Sequence, residues 1–166
     1  MNGINMVHFQ STSMRGGLAR HLSQLFKTGE IWGVDCWTLD RELALRHGNF
    51  PYLLHSNPEA MGVFPCATFE EIFIKTLENY LKFANERLQL SLPVKLIVGA
   101  TDVKGFMMAT CYGVSSRFLG NVVEEHLIKE MIIDNYDTPP RTILRPFFEY
   151  VWEECGLTRP DKECLG

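Results

Sequence analysis

The stretch from Thr68 to Leu88 constrains the fold of this chain more than any other. Its apolar side chains recur at steps of three and four residues, which places them along one face of an α-helix. They are Phe69, Phe73, Leu77, Tyr80, Leu81, Ala84 and Leu88. Thr68 and Glu71 have the spacing of a capping box, so the helix is predicted to begin at Thr68, with Glu70 on its wet side. Such a helix buries its stripe against a second layer, which the rest of the chain must supply.

Strands are the second layer that the sequence predicts. Runs rich in β-branched and aromatic residues indicate them at 4–9, 31–39, 94–103, 106–111 and 126–134. Segments 94–103 and 106–111 are close enough to form a hairpin with each other. In the last strand, Ile128 and Ile132 fall on one face while Leu127, Met131 and Ile133 fall on the other. Apolar residues on both faces are typical of a strand that is covered on both sides.

Two further helices complete the predicted organisation. The apolar face of the short segment 18–27, which Gly29 follows, is formed by Leu18, Leu22 and Leu25. A second main helix is expected to open at Thr138-Pro139-Pro140 and to stop at Gly156, with a kink or break at Pro146. The sequence therefore predicts one α+β domain over residues 1–166. Its mostly antiparallel sheet would carry two main helices on one face, with an irregular segment at about 40–65.

Composition and charge set limits on function. Apolar residues make up 46% of the 166, which is enough to build a core. Sixteen basic and twenty acidic residues leave a net charge of −4, which argues against a surface for duplex nucleic acid. No apolar run approaches the ~18 residues of a membrane span, and the first twenty residues lack a secretory-signal pattern. Five cysteines without a C-x-x-C pair suit a reducing compartment. We therefore expect a cytoplasmic protein without a membrane partner.

The motif that most suggests chemistry is Asp102-Val103-Lys104. On a strand, Asp102 and Lys104 would share a face, as in metal-dependent nucleases whose carboxylate holds Mg²⁺ and whose lysine steadies the attacking water. Such a site needs a second carboxylate, for which Asp35 is the candidate. A solvated strand end before the Gly105 turn explains the same residues without chemistry. This motif is the basis for a hypothesis of a small metal-dependent enzyme acting on nucleic acid or nucleotides.

Three other residues are candidates for ligand binding. Cys66 precedes the predicted helix, where the partial positive charge of a helix N-terminus would favour its thiolate. His55 lies in the same irregular segment and could serve Cys66 as a base. Arg15, followed by two glycines, could present backbone N–H groups to an anion. A loop cysteine, a loop histidine and a plain turn are the simpler explanations, and they are the ones favoured here. The scattered His and Cys lack metal-ligand spacing and no cofactor motif occurs, so neither a metal nor a cofactor is expected.

Three segments carry a resemblance to a known family. They are IWGVD at 31–35, LIVGATDVKGFMM at 96–108 and ILRPFFEYVWEECGLTRP at 143–160. In order and spacing they resemble the C-terminal portion of bacterial proteins with a Schlafen-type AlbA_2 domain, in which a VKGY-like turn follows a strand and an LRPAFDAVW helix lies near the end. The nucleic-acid- or nucleotide-binding region of that family has no counterpart here. The resemblance therefore implies architecture and a setting beside a nucleic-acid-binding or defence-related domain, and no catalytic residue is carried over.

Three functions remain open on these grounds. A non-catalytic accessory or protein-interaction domain is favoured, because catalytic motifs are missing and the charge balance is acidic. The chain is also rich in aromatic residues, among them Trp32, Trp37 and Trp152. It would bind a protein partner or form a homodimer, and it would reach nucleic acid only indirectly. The metal-dependent enzyme is the alternative. A small-ligand sensor with a pocket beneath residues 40–65 is the third, since long loops are often functional.

Overall fold

The structure is a computed structural model that describes residues 5–12, 21–35, 39, 55–112 and 115–160. Along the chain its elements are β1 (Asn5–Thr12), β2 (His21–Leu25), β3 (Ile31–Asp35), β4 (Gly62–Pro65), α1 (Cys66–Glu86), β5 (Val94–Thr101), β6 (Phe106–Tyr112), β7 (Ser115–Asn121), β8 (His126–Ile133) and α2 (Pro140–Glu154).

These strands form two sheets rather than one. The larger sheet has the order β2-β3-β1-β5-β8, and the smaller has the order β4-β6-β7. Strand β1 runs parallel to β3 and β5, and β4 runs parallel to β6. The other pairs among the described strands are antiparallel. The predicted α+β class with two main helices is confirmed. Parallel pairs were not predicted, because they depend on long crossovers that leave no local signal in the sequence.

Strands β5 to β8 form one long hairpin that is bent in its middle. One arm consists of β5 and β6, and the other arm consists of β7 and β8. β5 pairs with β8 in the larger sheet, and β6 pairs with β7 in the smaller sheet. The expected hairpin between 94–103 and 106–111 is therefore wrong. These two segments are consecutive parts of the same arm, and each one finds its partner in the other arm.

The bend occurs between β5 and β6. Asp102 has a φ of 57° and Gly105 has a φ of 76°, both in the left-handed region that turns an extended chain sharply. Between them Val103 is fully buried. The N–H groups of Val103 and Gly105 donate to the carbonyls of Glu125 and Val122, at 3.2 and 2.9 Å. Thus the two arms stay hydrogen-bonded through the bend, and one hairpin serves both sheets.

Segment 21–25 is a strand and not the predicted helix. It pairs antiparallel with β3 as β2, and Leu22 and Leu25 are both largely exposed. Three leucines at helical spacing are a weak signal in a short segment, since a few residues fit more than one period. Residues 18–20 of that expected helix lie outside the described residues.

Helix α1 begins at Cys66, two residues earlier than predicted. Pro65 precedes it, and no side chain caps this end. The expected capping box of Thr68 and Glu71 is therefore wrong, and Glu71 instead forms an ion pair with Lys75 one turn later. The predicted apolar stripe is confirmed, because Tyr80 and Leu88 are half-buried against the core and the other five members are buried, namely Phe69, Phe73, Leu77, Leu81 and Ala84.

Helix α2 packs on α1 and completes the core. It continues through Pro146, so the expected break does not occur in this helix. The two residues after the proline, Phe147 and Phe148, are buried and hold this turn in place. The Phe73 ring lies 4.4 Å from Phe69 and 5.4 Å from Phe147, between ring centroids. Gly156, at a φ of 73°, ends the helix as predicted. The core joins both helices with residues of both sheets.

Candidate functional site

The larger sheet has two unlike faces. On one face, alternate residues of β3, β5 and β8 are buried in the core beneath the helices. On the other face, which we call the open face, the alternate set is mostly exposed or half-buried. Outside β1, its described strand residues are Leu22, Gln24, Trp32, Val34, Lys95, Ile97, Gly99, Thr101, His126, Ile128, Glu130 and Ile132. Strand β1 runs through the middle, where His8 is in register with both Trp32 and Ile97.

Half of these residues have large apolar side chains, and several of them are exposed. Ile128 is 50% exposed, Ile132 57%, Leu22 54% and Trp32 40%. The Trp32 ring also makes an edge contact with Phe26, at 5.8 Å between ring centroids. The expectation that β8 is covered on both sides is wrong for the described chain. β8 is an edge strand, and only its Leu127 side lies against the core.

The open face carries almost no net charge. Lys95 of β5 and Glu130 of β8 form an ion pair with 2.7 Å between Nζ and Oε2. These are the formal charges among the face's described strand residues, and they cancel, although the whole chain carries −4. A surface of this kind offers little to a strongly charged ligand and exposes apolar area to water.

The predicted metal site is not assembled among the described residues. Asp102 and Lys104 are exposed at the bend, on either side of the buried Val103. Asp35 is 1% exposed on the helix-covered side of the sheet. β1 separates β3 from β5, so Asp35 is in register with Ala100 of β5 about 10 Å away, and Asp102 lies beyond the end of that strand. Within the described part of the chain, no three His, Cys, Asp or Glu side chains are grouped to hold a metal ion.

The candidate ligand-binding residues have different surroundings from those expected. Cys66 is 3% exposed in the first turn of α1, beside Met108 and Trp152 in a crevice too narrow for water. The expectation of an exposed thiol is therefore wrong. The error arises because the helix starts at Cys66 and turns this residue inward. His55 is exposed, while Arg15 and residues 40–54 of the irregular segment lie outside the described residues.

Glu70 is a buried acidic residue that was predicted to face water. It is only 9% exposed. Its carboxylate accepts hydrogen bonds from Trp152 Nε1 at 3.2 Å and from Arg159 Nε and Nη2 at 2.9 and 2.7 Å. The Arg159 guanidinium also lies over the Phe148 ring, 5.7 Å from its centroid. The cluster therefore joins the segment after α2 to α1. Its hydrogen bonds are made between protein side chains, which indicates a structural role for the Glu70 carboxylate.

The open face therefore contains the residues with the clearest functional implication, and no motif in the sequence marks them as a site. The available signal was the β8 pattern, apolar on both faces, combined with a position at the edge of the sheet. The first part is visible in the sequence, but the second requires the strand order.

No helix among the described residues has both the length and the apolar character to cross a membrane. Comparison with known proteins gives no match to a family model, to a curated protein or to a solved structure. The resemblance to AlbA_2-domain proteins therefore stays a prediction.

Proposed function

We propose that this chain is a non-catalytic interaction domain whose open face binds a protein partner. One observation carries the proposal: β8 is apolar on both faces, but the helices cover only one of them. Ile128 and Ile132 thus remain in water when the described chain is folded. Several exposed apolar side chains on one face mark interaction sites in folded proteins, because their burial by a partner is favourable.

The chemistry of the face favours protein over nucleic acid. Binding to a phosphate backbone depends on clustered Lys and Arg, whose counterions are released on contact. Here Lys95 is already paired with Glu130. The buried centre of a protein interface is rich in apolar and aromatic side chains and poor in charged ones. The described strand residues of the open face carry formal charge only in this one ion pair. Any nucleic acid would then be reached through the partner, in the cytoplasmic setting that the sequence implies.

Site-specific photocross-linking tests this function. A photoreactive phenylalanine analogue is placed at Ile132, and the chain is expressed in the cells of its source. The matched control is Val123, which is 63% exposed but lies in the connection between β7 and β8, off the open face. We expect a discrete protein adduct from position 132 and none from position 123. No adduct at 132, or the same adduct from both positions, would overturn the proposal.

A further inference from the structure

We infer that the partner on the open face is a second copy of this chain, an inference that rests on the proposed function. Two larger sheets would pack face to face, about 10 Å apart, with Ile128, Ile132 and Trp32 of each copy filling the space between them. Twofold dimers are the commonest assembly of soluble proteins, and in them the same patch serves both copies.

The size of the open face suits such a dimer. Five strands at ~4.8 Å spacing make a face about 24 Å wide. β1, β5 and β8 each contribute eight residues of ~3.3 Å, whereas β2 and β3 each contribute five. The face therefore measures roughly 500 Å² in plan, or roughly 1,000 Å² for two copies. The area for two copies reaches the ~1,000 Å² of total buried surface that a specific interface requires. Side chains that project from the sheet add further area to this value.

The charges of the face are also self-compatible. A chain with a net charge of −4 repels its own copy on most of its surface. On the open face, Lys95 and Glu130 of each copy neutralise each other, so that two such faces meet without accumulating charge. A strongly basic or acidic partner would gain no matching field there. A second copy of this chain offers a surface that matches the open face, because it is equally neutral and equally apolar.

Sedimentation of the purified chain tests the inference. We expect the unsubstituted chain to sediment at twice its mass of 19.0 kDa at micromolar concentration. I132E places a charge on the open face and should sediment as a single chain, with unchanged helical circular dichroism. V123E, the control at a similarly exposed position, should remain a dimer. A monomeric unsubstituted chain, or I132E that dimerises as well as V123E, overturns the inference.

A charge exchange provides a second measurement that does not depend on the isoleucine. K95E leaves two negative charges on the face, and E130K leaves two positive charges. Each variant alone should dimerise at least tenfold more weakly, because like charges then face each other. An equimolar mixture should recover dimers, and so should the K95E/E130K double variant, whose pair is reversed. Single variants that dimerise like the unsubstituted chain would contradict the proposed contact.

The two proposals fail in distinguishable ways. A cross-linked adduct at 132 with twice the mass of the chain supports both. A monomeric chain whose position 132 captures a protein of another mass overturns the second copy but preserves the interaction domain. The absence of any adduct overturns both.

Discussion

At the scale of single residues, the contact between Glu70 and Arg159 connects parts of the chain that are 89 residues apart. Their side chains are 12% and 16% exposed, so water screens the pair only weakly. Removing one partner of such a pair leaves the other charge poorly solvated, which costs more than the pair contributes when intact.

We predict that Arg159→Met lowers the free energy of unfolding by about 2 kcal/mol, because the Glu70 carboxylate then keeps only its bond from Trp152. Urea denaturation measures the change. Arg145→Met is the control, since Arg145 forms an exposed pair with Glu149 and its loss should cost under about 0.5 kcal/mol. Combining Arg159→Met with Glu70→Leu should recover part of the loss. Equal losses from the two arginine variants would show that Glu70 is not the reason.

The thiol of Cys155 gives the chain a dependence on alkaline pH. Burial, and secondly the charge of Glu154, raise its pKa from 9.0 to about 12. Between these values the unfolded chain loses this proton while the folded chain retains it, so stability is full below pH 9 and falls as the pH rises towards 12.

We therefore predict that Cys155→Ala loses less stability than the unsubstituted chain between pH 8 and pH 10.5. Thermal unfolding at a series of pH values measures the difference, which should amount to about 1–2 kcal/mol at the upper end. If the stability of the two proteins fell in parallel between pH 8 and pH 10.5, the prediction would be contradicted. Below pH 8 the curves should run parallel, since the thiol is protonated in both states.

At the scale of elements, the bend in the long hairpin assigns Asp102 a structural task. A φ of 57° is tolerated by aspartate, favoured by glycine and strongly unfavourable for a β-branched residue. The carboxylate itself is exposed and belongs to no group of metal-ligating side chains in the described part of the chain.

We predict that Asp102→Gly changes stability by less than about 1 kcal/mol, whereas Asp102→Val lowers it by about 1–2 kcal/mol. Both substitutions remove the carboxylate, so a difference between them reports the backbone alone. Chemical denaturation measures it. Equal destabilisation by glycine and valine would assign the effect to the carboxylate instead, and would return the Asp102–Lys104 hypothesis to consideration.

The two main helices were predictable, whereas the pairing of the strands was not. A stripe at steps of three and four residues is a property of the segment itself, and Phe69 to Ala84 carry it unambiguously. Strand pairing depends on distant partners, so the sequence predicts a hairpin turn at Gly105, which in the structure lies within one arm. Glu70 was placed in water for the same reason, because Arg159 is the partner that makes its burial tolerable. The open face follows only from the strand order.

At the scale of the whole molecule, the larger sheet should have a graded stability. β5 is bonded to β1 on one side and to β8 on the other, and its inward residues are buried. β2 is bonded only to β3 among the described strands, and its described side chains are exposed. Local opening therefore exposes β2 long before it exposes β5.

We predict that the backbone amides of β5 exchange with deuterium at least about 100-fold more slowly than those of β2. Hydrogen exchange followed by mass spectrometry measures both segments in one experiment. The I132E variant should keep this order, because the difference arises within one chain. Similar rates in the two strands would mean that the sheet opens as a single unit.

The position of β1 between β3 and β5 also bears on how the molecule is made. Asn5 of β1 pairs with Val94 of β5, about ninety residues later. A ribosome that synthesises this chain releases β1 while β5, one of the two neighbours of that strand, has not yet been translated. Until then, one edge of β1 lacks its hydrogen-bonding partner. In this state the nascent chain is exposed to chaperones and to aggregation with other nascent chains.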